Sequence, residues 1–123
     1  MKSNKRADSQ LSSMAGEFLT AGKLFKRDYQ VSVTIGNAKA IDLFVYNPRT
    51  EKTFNVQVKA LRKRNCFPIK REDIKKEHIY VFIILNANSP TEDYFILKGE
   101  TILKDINKFW GIGNGVRSLI LLF

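Results

Sequence analysis

The chain has 123 residues, a hydrophobic fraction of 44% and a charged fraction of 27%, the proportions of one folded domain rather than a disordered chain. Twenty-one Lys and Arg against twelve Asp and Glu leave a net charge of +9, which favours a polyanionic partner, either nucleic acid or an anionic membrane surface. The single cysteine, Cys66, excludes an intrachain disulfide; the longest apolar run, Ile79 to Leu85, is too short to span a bilayer, and the basic N-terminus lacks the apolar stretch of a secretory signal, so a reducing, cytoplasmic setting is expected.

Residues 1–9 are polar and charged without period, and are expected to form a flexible basic tail ahead of a single domain over 10–123. Leu11, Met14, Ala15, Phe18, Gly22 and Phe25 recur at helical spacing and predict a first helix that buries this apolar stripe and ends in Lys26-Arg27-Asp28. Val31, Val33 and Ile35 alternate with Ser32 and Thr34 as a strand, broken by Gly36-Asn37. A second strand runs from Ala40 to Tyr46 and stops at Asn47-Pro48-Arg49-Thr50, where Asn can bond its own backbone and Pro fixes φ. A third runs from Thr53 to about Leu61, close enough to the second to form a hairpin with it.

Arg62-Lys63-Arg64-Asn65 makes a basic exit, and Pro68 argues against a helix through Phe67. Arg71 to His78 is expected as a short charged helix. Ile79 to Leu85 is continuously apolar, as in a strand buried on both faces. Asn86 to Glu92 is a loop, Asp93 to Lys98 a further strand, and Gly99 to Lys108 a turn leading into a short helix. Gly111, Gly113 and Gly115 loosen the chain before the apolar Leu119 to Phe123, which would suit a subunit contact. The order is helix, three strands, helix, strand, strand: an α/β layout with a mixed central sheet flanked by helices.

Side chains alternate across a strand. In the third strand Phe54, Val56, Val58 and Ala60 therefore point into a core, while Asn55, Gln57 and Lys59 share the other face. In the second, Asp42 interrupts an apolar run, and a carboxylate there is costly unless paired or bound to a metal. Glu17 is the only acid in the first helix before Asp28, and it follows Gly16, which permits close approach to the sheet. Taken singly, Asp42 could be satisfied by backbone donors, Gln57 and Lys59 could form a solvated face, and Glu17 could be a plain surface residue. His78 reads as structural, Cys66 has no partner for nucleophilic chemistry, and Gly111 to Gly115 lacks the context of a dinucleotide loop.

Taken together, Gly16-Glu17-Phe18-Leu19 in a helix, Ala40-Ile41-Asp42-Leu43 in the second strand and Phe54-Asn55-Val56-Gln57-Val58-Lys59 in the third resemble the PD-(D/E)XK nuclease superfamily, in particular small endonucleases related to Holliday-junction resolvases. The likeness covers roughly Leu11 to Lys104. It implies the restriction-endonuclease-like three-layer fold, of order αβββαβ plus an extra strand. Two positions depart from the motif: Ile41 stands in place of its proline, and Gln57 in place of its second acid, as in Gln-X-Lys branches of the superfamily. The resemblance implies a metal-dependent endodeoxyribonuclease, restriction- or resolvase-like, acting on duplex or branched DNA as a homodimer. Asp42, Gln57 and Glu17 would hold Mg²⁺, with Mn²⁺ able to substitute, and Lys59 would orient water or stabilise developing charge.

Arg62, Lys63 and Arg64, just past Lys59, are placed to grip phosphates, and Lys70, Arg71, Lys75 and Lys76 could extend that grip. The alternative is a catalytically inactive nuclease-fold protein that binds nucleic acid or a protein partner, a reading fed by Gln57. An RNA-directed nuclease is a further rival. A membrane-surface role is disfavoured because no basic amphipathic helix is present.

Overall fold

The structure, a computed structural model, describes residues 5–34, 42–105 and 118–119. Helix α1 (Lys5–Lys26) leads into β1 (Gln30–Val33), β2 (Leu43–Asn47) and β3 (Lys52–Leu61), a run of antiparallel neighbours. A crossover containing β4 (Phe67–Pro68) and a single 3₁₀ turn (Arg71–Asp73) returns the chain to β5 (Ile79–Ile84), parallel to β3. β6 (Asp93–Lys98) pairs antiparallel with β5, and α2 (Gly99–Lys104) follows it. The result is a five-stranded mixed sheet of order β1-β2-β3-β5-β6, the α/β architecture expected from the pattern of elements. No helix among the described residues is long and apolar enough to cross a membrane.

The β2–β3 hairpin forms at the predicted turn. The Arg49 N–H donates to Asn47 Oδ1 at 3.0 Å, the Glu51 N–H donates to the Asn47 carbonyl at 2.8 Å, and Glu51 takes a left-handed φ of 58° to close it. Strand parity then divides the molecule into two cores. On the α1 face, Leu43, Val45, Val56, Val58, Val81 and Ile83 pack with Ala21 and Leu24 of the helix. On the opposite face, Tyr80, Phe82 and Ile84 pack with Phe67, Ile69 and Ile74 of the crossover and Ile102 of α2. The continuous apolar run of β5 is thus explained, since it is covered on both sides.

Four expectations change. α1 begins at Lys5, so residues assigned to a flexible tail extend the helix. The crossover helix is reduced to the turn Arg71–Asp73. A helix over Arg71 to His78 would bury only Ile74, whereas an irregular path brings Phe67, Ile69 and Ile74 into one core and lets the Lys75 N–H donate to the buried Tyr80 Oη at 2.7 Å. A second, two-stranded sheet escapes the sequence pattern: β7 (Ser118–Leu119) pairs with β4, Phe67 opposite Leu119. Residues 35–41, which carry the expected end of β1 and start of β2, lie outside the described residues. So do 106–117, with Phe109, Trp110 and the glycine stretch, and 120–123, the rest of the apolar tail.

The fourth change concerns α1. The stripe expected in the core faces outward: Leu11, Phe18 and Phe25 are 60%, 52% and 54% exposed. The buried face is made of small residues, Ser12, Gly16, Thr20 and Ala21. Proximity is the reason. A Cβ added at Gly16 would lie 2.8 Å from the Ala60 Cβ and 3.1 Å from Ile83 Cγ2, so the helix lies too near the sheet for a large side chain between them. Gly16→Val should therefore lower stability by about 2–4 kcal/mol through overpacking. Gly22→Ala, facing open space, should raise it by about 0.5–1 kcal/mol through helix propensity. Urea denaturation of the two variants checks both signs.

Candidate active site

β2 begins at Leu43, paired with Val56, while β3 runs on to Leu61 beside β5. Beyond that pair no strand among the described residues flanks β3 on this side, and Asp42 stands where the described pairing ends. Every polar part of Asp42 is fixed. Its N–H donates to the Val56 carbonyl at 3.0 Å, and its own carbonyl accepts from the Thr34 N–H at 2.9 Å and from Thr34 Oγ1 at 3.0 Å. Its carboxylate Oδ2 accepts the Val58 N–H at 2.7 Å. The side chain thus takes the place of a strand partner for β3, and charge-assisted bonds of this kind are short and strong.

Val58 lies between Gln57 and Lys59, so the carboxylate sits at the stretch of β3 that carries both. In the parallel register Gln57 is beside Tyr80 and Lys59 beside Phe82, on the face away from α1. Glu17 arrives from the α1 face, one residue past the Gly16 contact. Glu17 and Asp42 hydrogen-bond each other through their carboxyl groups. Burial, then the charge of Asp42, then that hydrogen bond push the Glu17 pKa up from 4.5 to about 7. Gln57 is 8% exposed, and its Oε1 is buried with no hydrogen-bond partner; Lys59 is half-buried.

No group of three or more His, Cys, Asp or Glu side chains gathers here or elsewhere among the described residues. The oxygen donors on these segments are the paired carboxylates of Glu17 and Asp42 and, on the other face of β3, the amide of Gln57. All are hard ligands of the kind Mg²⁺ accepts alongside water, and an orphaned buried carbonyl oxygen is a group that a cation or a water would satisfy. Where two carboxylates share a proton, a cation can take the proton's place.

The basic residues fall into two groups. Arg62, Lys63 and Arg64 are exposed at the C-terminal end of β3, where Arg62 and Lys63 border a groove of about 460 Å³ closed by Asn86, Asn88 and Ser89. The polar loop after β5 is a neighbour that the linear sequence does not reveal. Its base is braced by Asn86, whose Nδ2 donates to the Thr91 carbonyl at 3.2 Å and to Asp93 Oδ2 at 3.1 Å. Lys70 and Arg71 belong to the crossover, on the Gln57 side of the sheet. Lys75 and Lys76 lie at the opposite end of the parallel pair, in a turn pinned when the Gly99 and Glu100 N–H groups donate to the His78 and Lys76 carbonyls at 2.8 and 3.1 Å. Cys66 is exposed and unpaired, and His78 Nδ1 is buried without a partner. A second cavity of about 420 Å³, under the C-terminal half of α1, is mostly apolar and has no carboxylate in its lining.

No family model matches the chain, and no curated protein matches it in sequence. Among solved structures, the chain is similar to a bacterial homing endonuclease, I-Ssp6803I, with a TM-score of 0.58 over 76% of this chain and 67% of that one, at 13% identity. At that identity the likeness is one of fold.

In metal-free solution the folded protein retains a proton at Glu17 between pH 4.5 and about 7 that the unfolded chain releases. Stability at this position is therefore greatest below that window, falls as pH rises through it and stays low above it. Glu17→Gln removes the effect. With chelator present, the variant should melt about 3–6 °C above the parent at pH 8 and level with it at pH 4. Thermal melts across that range check the shape; a pH-independent difference would mean the two carboxyl groups do not interact.

Proposed function

We propose that the protein is a metal-dependent endodeoxyribonuclease of the PD-(D/E)XK type, in its Gln-X-Lys form. The observation that carries this reading is the Asp42 carboxylate bonded to the backbone between Gln57 and Lys59 while in contact with Glu17. The fold likeness to a homing endonuclease and the charge of +9 support it.

Asp42 and Glu17 would hold Mg²⁺ as anionic ligands, and Gln57 would contribute its carbonyl oxygen. The bound ion supplies charge neutralisation at the phosphate and a lowered pKa for water. The backbone bonds of Asp42 keep its carboxylate oriented, so little reorganisation is needed as charge develops. Glu17 would serve the ion in its ionised form. Lys59, half-buried beside Gln57, orients the attacking water or offsets negative charge growing on the phosphate. Arg62, Lys63 and Arg64 neutralise neighbouring phosphates, with Lys70, Arg71, Lys75 and Lys76 as a wider basic surround. Contacts of this kind position DNA without reading its sequence.

Plasmid and branched DNA incubated with Mg²⁺ or Mn²⁺ should be cut, and Asp42→Asn or Lys59→Ala should slow cutting at least 100-fold with DNA binding retained. Arg62→Ala should weaken binding across all sequences and reduce the slope of log K against log salt by about 0.9. Gln57→Glu adds a negative ligand and should tighten Mg²⁺ binding measured by calorimetry. Binding without cleavage under both metals favours the inactive alternative, to which Gln57 itself lends weight, and cleavage confined to RNA favours the RNA-directed one.

A further inference from the structure

The outer face of α1 is the least expected surface of the molecule. Leu11, Phe18 and Phe25 recur every seven residues and are all more than half exposed. Between Phe18 and Phe25 on the same face lies Gly22, exposed with nothing near it, while Ala15 is half-buried against the core. The small residue leaves room for a side chain of a facing helix. The strip is also centred: Leu11 and Phe25 stand equally far from Phe18, so the seam complements itself about a two-fold axis through that residue.

The area suits a second copy. The exposed parts of Leu11, Phe18, Leu19 and Phe25 amount to about 400 Å² per chain and about 800 Å² for a pair. Flanking side chains would carry this to the roughly 1,000 Å² that a specific interface needs. Charge sets the direction: Lys23 and Lys26 occupy the last turn of α1, so parallel helices would bring four lysines together, whereas antiparallel ones separate them and oppose the two helix dipoles.

We propose that the outer face of α1 is the seam of a two-fold homodimer, in which the α1 of a second copy lies antiparallel, Phe18 against Phe18 and Leu11 against Phe25. The nuclease resemblance implies a homodimer without saying which surface forms it; the seam assigned to α1 does not depend on that reading, because assembly is measured without DNA or metal. Sedimentation equilibrium at 5–200 µM should show a dimer for the parent chain. Leu11→Glu and Phe25→Glu, and the milder Phe25→Gln, should weaken it at least 100-fold for the charged pair and about 10-fold for the amide, with the far-UV circular dichroism unchanged. In a Cys66→Ser background, Phe18→Cys should crosslink to itself, and Leu11→Cys should crosslink to Phe25→Cys when the two are mixed. A parent chain that stays monomeric at 200 µM overturns the proposal, as does a dimer insensitive to all three substitutions or Leu11→Cys crosslinking to itself.

Discussion

The site rests on one close approach, the backbone of α1 against Ala60 and Ile83 at Gly16. Because no side chain intervenes, the next residue, Glu17, is carried down to the level of the sheet and meets Asp42. A displacement of the helix by even one methyl group would act on two things at once. It would loosen a core in which packing is close to crystalline, and it would part the carboxylates. Stability and site geometry are thus linked through a single glycine, and a loss of a few kcal/mol is a large share of the 5–15 kcal/mol that holds a domain of this size together.

The two cores treat polar groups differently. On the far face, Tyr80 is buried among apolar residues, yet its hydroxyl accepts the Lys75 N–H and donates to the Asp73 carbonyl, so its burial is compensated. Around Asp42 and Gln57 compensation is incomplete. Glu17 and Asp42 are brought together although both carry negative charge when ionised, and Gln57 Oε1 is enclosed without a partner. An unsatisfied buried oxygen costs about 1–3 kcal/mol. Local tension of this kind is often found at functional sites, and on the proposed reading a hard cation would relieve the repulsion between the two carboxylates.

Much of the fold is legible in the chain because local signals agree with the tertiary outcome. The alternation of Phe54, Val56 and Val58 with Asn55, Gln57 and Lys59 gives the two faces of β3, and the run Ile79 to Leu85 announces a strand covered twice. The Asn47 turn is written in its own side chain. The failures have physical causes. Large apolar residues on a helix are ordinarily read as its core face; here the helix is so close at Gly16 that its fully buried positions are Ser12, Gly16, Thr20 and Ala21, with Leu24 half-buried further along, and Leu11, Phe18 and Phe25 are left outside. β4 and β7 are two residues each and separated by about fifty positions, so no periodicity marks them. The role of Asp42 was half legible. Its cost inside an apolar strand points to a partner, but that its partner is the Val58 N–H, and that Thr34 fixes its carbonyl, depends on a register no pattern encodes. The groove joining Arg62 and Lys63 to Asn88 and Ser89 likewise follows only from the parallel pairing of β3 with β5.

Gln57 is the residue whose chemistry differs most from the motif the chain resembles. With an acid there, three carboxylates would surround the cation and overcompensate its two charges. With Gln57 there are two, and the ion with its protein ligands comes close to neutrality. On the proposed reading this shifts work from the protein to the substrate. A neutral amide oxygen binds a divalent ion less tightly than a carboxylate does, so metal affinity in the absence of DNA falls. A substrate phosphate would then complete the charge balance, Glu17 would be needed in its ionised form, and Arg62 to Arg64 would hold the flanking phosphates. On that reading the substitution makes activity depend more on the substrate than on the protein's own ligands.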